Sequence, residues 1–211
     1  MLLSTAYFPP VSYLSLLARD MTLSPDRVIP SSAMIEACES YQKQSWRNRC
    51  LFMSASGTEM LQVPIVHDGS RLIRDIRIEY TTPWITRSER ALDSAYHTSA
   101  FYDHYRNDIF KILEDGEEYL FDLNMRIIKY FLNKTGIASN LIVTTDFAAE
   151  EEDDWREIIH PKRPNSILED LGLSRPYFQV FSDKYGFIKG LSIMDLLFNE
   201  GPESIMFLKK L

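Results

Sequence analysis

The sequence predicts an α/β fold in a single domain spanning residues 1–211. It would hold a mixed sheet, an antiparallel meander near residues 47–80, and mainly helices after residue 84. Three observations carry this expectation. A short apolar opening breaks at Pro9-Pro10 and runs into leucines at helical spacing. β-favouring stretches in the middle of the chain are cut by Ser56-Gly57 and Asp68-Gly69. Farther on, a long apolar stripe at helical spacing ends near Gly136 and is followed closely by another apolar stretch.

Taken in order, Leu2 to Ala6 reads as a strand, and Tyr13, Leu14, Leu16 and Leu17 as the inner face of a helix. Val28 to Pro30 and Ala33 to Tyr41 are ambiguous, the second reading as a weak strand or a helix turn leading into the polar run. The stretches Arg49 to Ser54, Met60 to Val66 and Leu72 to Tyr80 form the expected meander. In the last of these, Ile76, Ile78 and Tyr80 alternate with Arg77 and Glu79, giving one buried and one wet face. Helices are expected over Ser88 to Ala95, Asp103 to Leu113 and Tyr119 to Lys134. In the last of these helices Leu120, Leu123, Ile127, Ile128, Phe131 and Leu132 form the stripe, and Gly136 supplies a left-handed stop. Leu141 to Thr144 reads as a buried strand, Glu150 to Asp154 as a solvated loop or helix start, and Ser192 to Glu200 as a helix stopped by Gly201-Pro202. A short final helix runs through Ile205 to Leu208.

Of 211 residues, 45% are hydrophobic, enough for one substantial core. The net charge of −7 is placed unevenly. Met1 to Ile112 has 12 basic against 12 acidic residues, and Leu113 to Leu211 has 11 against 18. An acidic chain with no basic domain argues against nucleic acid as a partner. Cys38 and Cys50 give neither a zinc spacing nor a disulfide framework, which fits a reducing, cytoplasmic compartment. The first cation is Arg19, so a secretory leader is not expected, and no apolar stretch is long enough to span a bilayer.

The run Tyr41-Gln42-Lys43-Gln44-Ser45-Trp46-Arg47-Asn48-Arg49-Cys50 contains no aliphatic side chain and is expected to lie outside the core. Read as extended chain, it puts Lys43, Ser45, Arg47 and Arg49 on one side. Arginine forks suit carboxylate and phosphate, and Trp46 offers a stacking surface. The run is therefore read as a site for an anionic small molecule, with Lys43 as a second point charge and Asn48 as a directional contact. The plainer reading is a charged edge strand that blocks unwanted pairing.

Tyr7 sits just after the first strand, where open α/β sheets place ligands, or else in a Pro-stiffened turn. Ser192 and Asp195 have the spacing of a capping box, while Asp195 is also a candidate carboxylate base. Asn199 lies near that helix's end and could contact substrate. His97, beside the aromatic patch that runs from Tyr96, is the candidate general acid or base, weighed against a surface histidine. The set is thus His97 and Asp195 for catalysis, and Tyr7, Lys43, Trp46, Arg47, Asn48, Arg49 and Asn199 for substrate. No metal site is expected, and no motif identifies a cofactor or an oligomeric state. P-loop, dinucleotide-binding and nucleophile-elbow motifs are missing.

Ala6-Tyr7-Phe8-Pro9-Pro10 with Tyr13, Tyr41 to Gln44 with Arg47-Asn48-Arg49, Trp84, Ala95-Tyr96, and Leu191 to Asn199 together resemble the WbqC-like protein family nearly end to end. The chain has Ser4-Thr5-Ala6 where typical members read closer to Gln-Pro-x before the Tyr-Phe-Pro. The resemblance implies a place in surface polysaccharide or O-antigen synthesis. The expected function is a transferase acting on a sugar, nucleotide-linked, by acyl or aminoacyl transfer. The alternatives are a non-catalytic binding protein of the same pathway and a nucleotidylyltransferase-like enzyme.

Overall fold

The computed structural model describes residues 1–24, 26–149, 152–163, 169 and 175–209. Its centre is a three-stranded parallel sheet in the order β1 (Leu2–Ser4), β4 (Ser31–Glu36), β7 (Ser139–Val143). Leu2 faces Met34, and Ala33 faces Leu141. Helix α1 (Val11–Arg19) follows β1 and packs on β4, with Leu14, Leu16 and Leu17 fully buried. A hairpin of β2 (Thr22–Ser24) and β3 (Arg27–Ile29) leads into β4. The α/β class and partly parallel sheet expected from sequence are present.

The first strand is shorter than expected, stopping at Ser4 rather than Ala6, because the chain turns inward. Phe8 is buried with a positive φ of 40°, a costly conformation for a bulky residue that its surroundings must hold in place. The Tyr7 N–H donates to Trp46 O at 2.8 Å. Pro9 O accepts from Ile193 N, and Val11 N donates to Leu191 O. The Pro9-Pro10 segment is thus a turn clamped to the start of a late helix.

The expected meander is a two-stranded antiparallel hairpin, β5 (Arg49–Ser54) with β6 (Gly57–Gln62). β6 ends before Pro64, which has no N–H to continue the ladder. The third stretch, Leu72 to Tyr80, begins with a 3-10 turn (Ile73–Asp75) and touches its neighbours through single bridges, Ser40 to Leu72, Ile65 to Ile78 and Arg77 to Tyr119. Ile76 and Ile78 are buried and Arg77 is exposed, as the alternation implied; Tyr80 is exposed.

Three helices follow: α2 (Trp84–Tyr96), α3 (Tyr102–Glu114) and α4 (Leu120–Thr135). The α4 stripe is buried as expected, each large side chain contributing about 1.5–3 kcal/mol. Gly136 ends it in the left-handed region at φ 73°. Strand β7 is not buried: it lies at the open edge of the sheet, with Ile142 55% exposed. An apolar run does not reveal whether a strand is central, and here no further strand covers it among the described residues. Part of the acidic stretch, Glu150 and Glu151, lies outside the described residues. Asp153 pairs with Arg19, and Asp154 with Arg156.

The chain closes with α5 (Ser182–Tyr185), α6 (Ile193–Glu200), a 3-10 turn (Gly201–Ser204) and α7 (Ile205–Leu208). One hydrophobic cluster runs from β1 and α1 through α4 to α6 and α7. At Gly201 φ is 53° and ψ −128°, and an added Cβ would lie 2.6 Å from the Phe101 ring. Gly201→Ala is expected to cost about 1–3 kcal/mol in urea denaturation; an unchanged midpoint would contradict this tight approach. No described helix is long and apolar enough to cross a membrane.

Candidate functional site

The parallel strands end together at Ser4, Glu36 and Val143, and a cleft of about 620 Å³ opens there. Its lining is Glu39, Ser40, Gln42, Phe147, Asp154, Arg156 and Glu157. The carboxyl edge of a parallel sheet is where α/β folds place ligands, because the loops leaving it diverge around a crevice.

Two ion-pair groups form the floor. Glu36, fully buried at the end of β4, accepts hydrogen bonds from Cys38 N at 2.8 Å, Thr144 Oγ1 at 2.7 Å, Ala148 N at 2.9 Å and Arg156 Nη1 at 3.1 Å. Arg156 also donates to Asp154 Oδ2 at 2.6 Å and to Ala148 O at 3.1 Å, with its guanidinium 4.9 Å from the Phe147 ring centroid. Burial works to raise the Asp154 pKa, but hydrogen bonds from Arg156 outweigh it and hold the carboxyl below its ordinary value. The second group is Glu39 with Arg47. Both Arg47 Nε (2.8 Å) and Nη2 (2.5 Å) donate to the carboxylate, and Ser4 Oγ donates at 3.0 Å. Gln42 bridges outward, accepting from Arg47 Nη1 at 3.3 Å and donating to Glu157 Oε1 at 2.5 Å.

With Glu36, Glu39, Asp154 and Glu157 set against Arg47 and Arg156, this region is net acidic, and both guanidiniums are already held by carboxylates. His160, half-buried, is kept below its ordinary pKa first by burial, although Glu157 opposes this. No group of three or more His, Cys, Asp or Glu suited to a metal ion occurs among the described residues.

The polar run departs from its expected form in two ways: it is neither extended nor outside the core. Gln44 takes a positive φ of 59°, reversing the chain, so alternation is lost and Ser45, Trp46, Arg47 and Asn48 are buried consecutively. A polar run can be interior when its side chains serve neighbouring backbone. Ser45 Oγ donates to Gln42 O at 2.7 Å, Asn48 Nδ2 to Val63 O at 2.9 Å, and Asn124 Nδ2 to Arg47 O at 2.7 Å.

The structure brings Tyr7, Trp46, Arg47 and Asn48 close together where the β1 exit crosses this run, with Tyr7 fully buried and its phenol pKa raised by burial. Lys43 is exposed and lines a separate cavity, while Arg49 is half-buried in β5. His97 is exposed at the end of α2, its Nδ1 3.2 Å from Asp93 O, and does not line the cleft.

Asp195 and Asn199 are buried on α6, and Asn199 Nδ2 donates to Asp195 O at 2.7 Å. Ser192 caps that helix by accepting from Met194 N. Asp195 does not complete the expected capping box. Its carboxylate instead accepts from Tyr96 Oη at 3.0 Å and Tyr177 Oη at 2.9 Å, and burial raises its pKa to about 6 against the lowering effect of those bonds. The N–H that a capping box would offer Asp195, that of Ser192, donates instead to Leu51 O at 2.8 Å, which leaves the carboxylate to the two phenols.

Sequence reasoning did not single out Glu36, Glu39, Asp154, Arg156, Phe147 or Glu157. Glu36 carried a signal, since it is a carboxylate ending the apolar stretch Ala33-Met34-Ile35. A glutamate at such a position needs a partner. That partner, Arg156, lies 120 residues away, where no local spacing could reveal it.

The sequence profile of the WbqC-like protein family matches residues 6–175. The "Uncharacterized protein Rv1507c" of Mycobacterium tuberculosis (strain ATCC 25618 / H37Rv) is 26% identical over 196 residues, covering 80% of this chain and 84% of that protein. No solved structure matches significantly.

Proposed function

Because the chain belongs to the WbqC-like protein family, we propose that it is a cytoplasmic biosynthetic transferase acting on a sugar in surface polysaccharide synthesis, and that the sugar occupies the cleft at the carboxyl ends of β1, β4 and β7. One observation supports this most: Phe147, 62% exposed, stands at a cleft otherwise lined by carboxylate, amide, hydroxyl and guanidinium groups. A lone aromatic face beside hydrogen-bonding side chains suits a sugar, whose C–H face stacks while its hydroxyls and amines bond outward. The reaction we assign is attack of a sugar hydroxyl or amine on the carbonyl of an activated acyl or aminoacyl donor, forming an ester or amide bond as the donor's activating group leaves with its bonding electron pair. In this reading Glu157, which lines the cleft and accepts from Gln42, takes the proton the nucleophile loses.

A second reading, binding without turnover, is favoured by one feature. Arg47 and Arg156 are both engaged by carboxylates, so neither is free to stabilise an oxyanion.

Calorimetric titration with a panel of nucleotide sugars and free amino sugars tests the shared part of both readings. Phe147→Ala should weaken the bound sugar about 5- to 30-fold. Absence of binding across the panel, or binding that Phe147→Ala leaves unchanged, would remove the cleft as a sugar site. Turnover with acyl or aminoacyl donors then separates transferase from binding protein.

A further inference from the structure

We propose that the cleft continues across Ser40 into a second, basic lobe that binds the diphosphate of a nucleotide-linked ligand through Lys43 and Arg71. This rests on the reading of the main cleft as a sugar site and assigns the ligand's anionic half to a different place. The second cavity, about 340 Å³, is lined by Ser40, Tyr41, Lys43, His67, Ser70 and Arg71 among others. Ser40 borders both cavities.

The wall between them is a short pairing of two extended segments. Ser40 bridges Leu72, Tyr41 N donates to Arg71 O at 2.7 Å, and Ile73 N donates to Glu39 O at 2.9 Å. Along this wall Glu39 and Gln42 serve the acidic cleft, whereas Tyr41 and Lys43 serve the other lobe.

Charge separates the two lobes. The main cleft is net acidic and would repel a diphosphate. In the second lobe Lys43 and Arg71 are exposed, and neither side chain has a carboxylate or hydrogen-bond partner among the described residues. Asp68, the acid in this lobe, is already occupied, accepting from Arg77 Nη2 at 2.9 Å and from Ser70 N at 3.0 Å. Two unpaired cations with a histidine nearby, across a ridge from a polar cleft, suit a ligand that is a sugar at one end and a phosphate anion at the other.

The test uses inorganic pyrophosphate as the probe, titrated calorimetrically at fixed ionic strength. Both cations are exposed, so the variants should keep the wild-type melting temperature. Lys43→Ala and Arg71→Ala are each expected to weaken pyrophosphate binding about 5- to 10-fold. The double variant should abolish it, while Phe147→Ala and the surface control Arg87→Ala/Arg90→Ala leave it unchanged. No pyrophosphate binding, equal binding by the Lys43/Arg71 double variant, or equal loss in the control would overturn the proposal. Pyrophosphate binding lost only in the double variant, with no sugar bound anywhere, would uphold the basic lobe while ending the sugar reading. A nucleotide sugar weakened by Phe147→Ala but not by the double variant would do the reverse.

Discussion

Arg47→Ala is expected to destabilise the protein by about 3–5 kcal/mol at neutral pH. Arg47 is 2% exposed and Glu39 6% exposed, and the guanidinium supplies two of the hydrogen bonds that the carboxylate receives. Removing it strands a buried anion and leaves a cavity. It also withdraws a bond from Ser4 Oγ at the end of β1. Substituting both partners with Met at 47 and Leu at 39 should recover much of the loss, because the desolvation cost of both charges disappears with the pair. Arg49→Ala, at a half-buried position without a carboxylate partner among the described residues, should cost less than about 1 kcal/mol. Urea denaturation of the four proteins decides the matter: an Arg47→Ala midpoint close to wild type would mean that the pair is not buried in solution.

Asp195→Asn should stabilise the protein at pH 7.5 by about 2–3 kcal/mol and remove a pH dependence. The Asp195 pKa rises from 3.8 to about 6 on folding, so the folded state holds the proton more tightly than the unfolded chain does. Stability from this group is therefore complete below pH 3.8, declines between pH 3.8 and 6, and stays at its lower level above that. Two pKa units correspond to about 3 kcal/mol. An asparagine can still accept from one tyrosine and donate to the other, because Tyr96 and Tyr177 hydroxyls can each act either way. Melting curves from pH 3.5 to 8 would show a flatter profile for the variant. A variant less stable than wild type at pH 7.5, with the slope intact, would show that the carboxylate is not the titrating group.

Much of the fold was legible because it rests on local chemistry. The α4 stripe and Gly136, the leucines of α1, the Ser192 cap and the Gly57 turn each declare themselves within a few residues. Pro64, which has no N–H to extend the ladder, is just as plain in the sequence, and β6 ends before it. The exposed position of β7 depends on which strands stand beside it, a property of the whole sheet. The site was less legible for the same reason. The polar run correctly marked a place where the chain does something unusual, but the left-handed turn at Gln44 converted surface into interior. The anion that holds Arg47 is Glu39, eight residues earlier, rather than a ligand. Asp195 offers two readings in the sequence, and its partners, Tyr96 and Tyr177, lie 99 and 18 residues away.

The union of Glu36 with Arg156 also bears on the order of assembly. While the chain is being synthesised, β4 emerges early, carrying a carboxylate whose counter-ion and whose Thr144 and Ala148 donors all appear more than 100 residues later. Contacts that span such lengths are closed late and slowly, since much loop entropy must be given up first. The hairpin β5–β6 and the helices α2 to α4 can consolidate before that moment; the cleft cannot. Its floor is finished only when the segment carrying Arg156 docks, so binding competence should be the last property the folding chain acquires, trailing the recovery of helical signal in a refolding experiment.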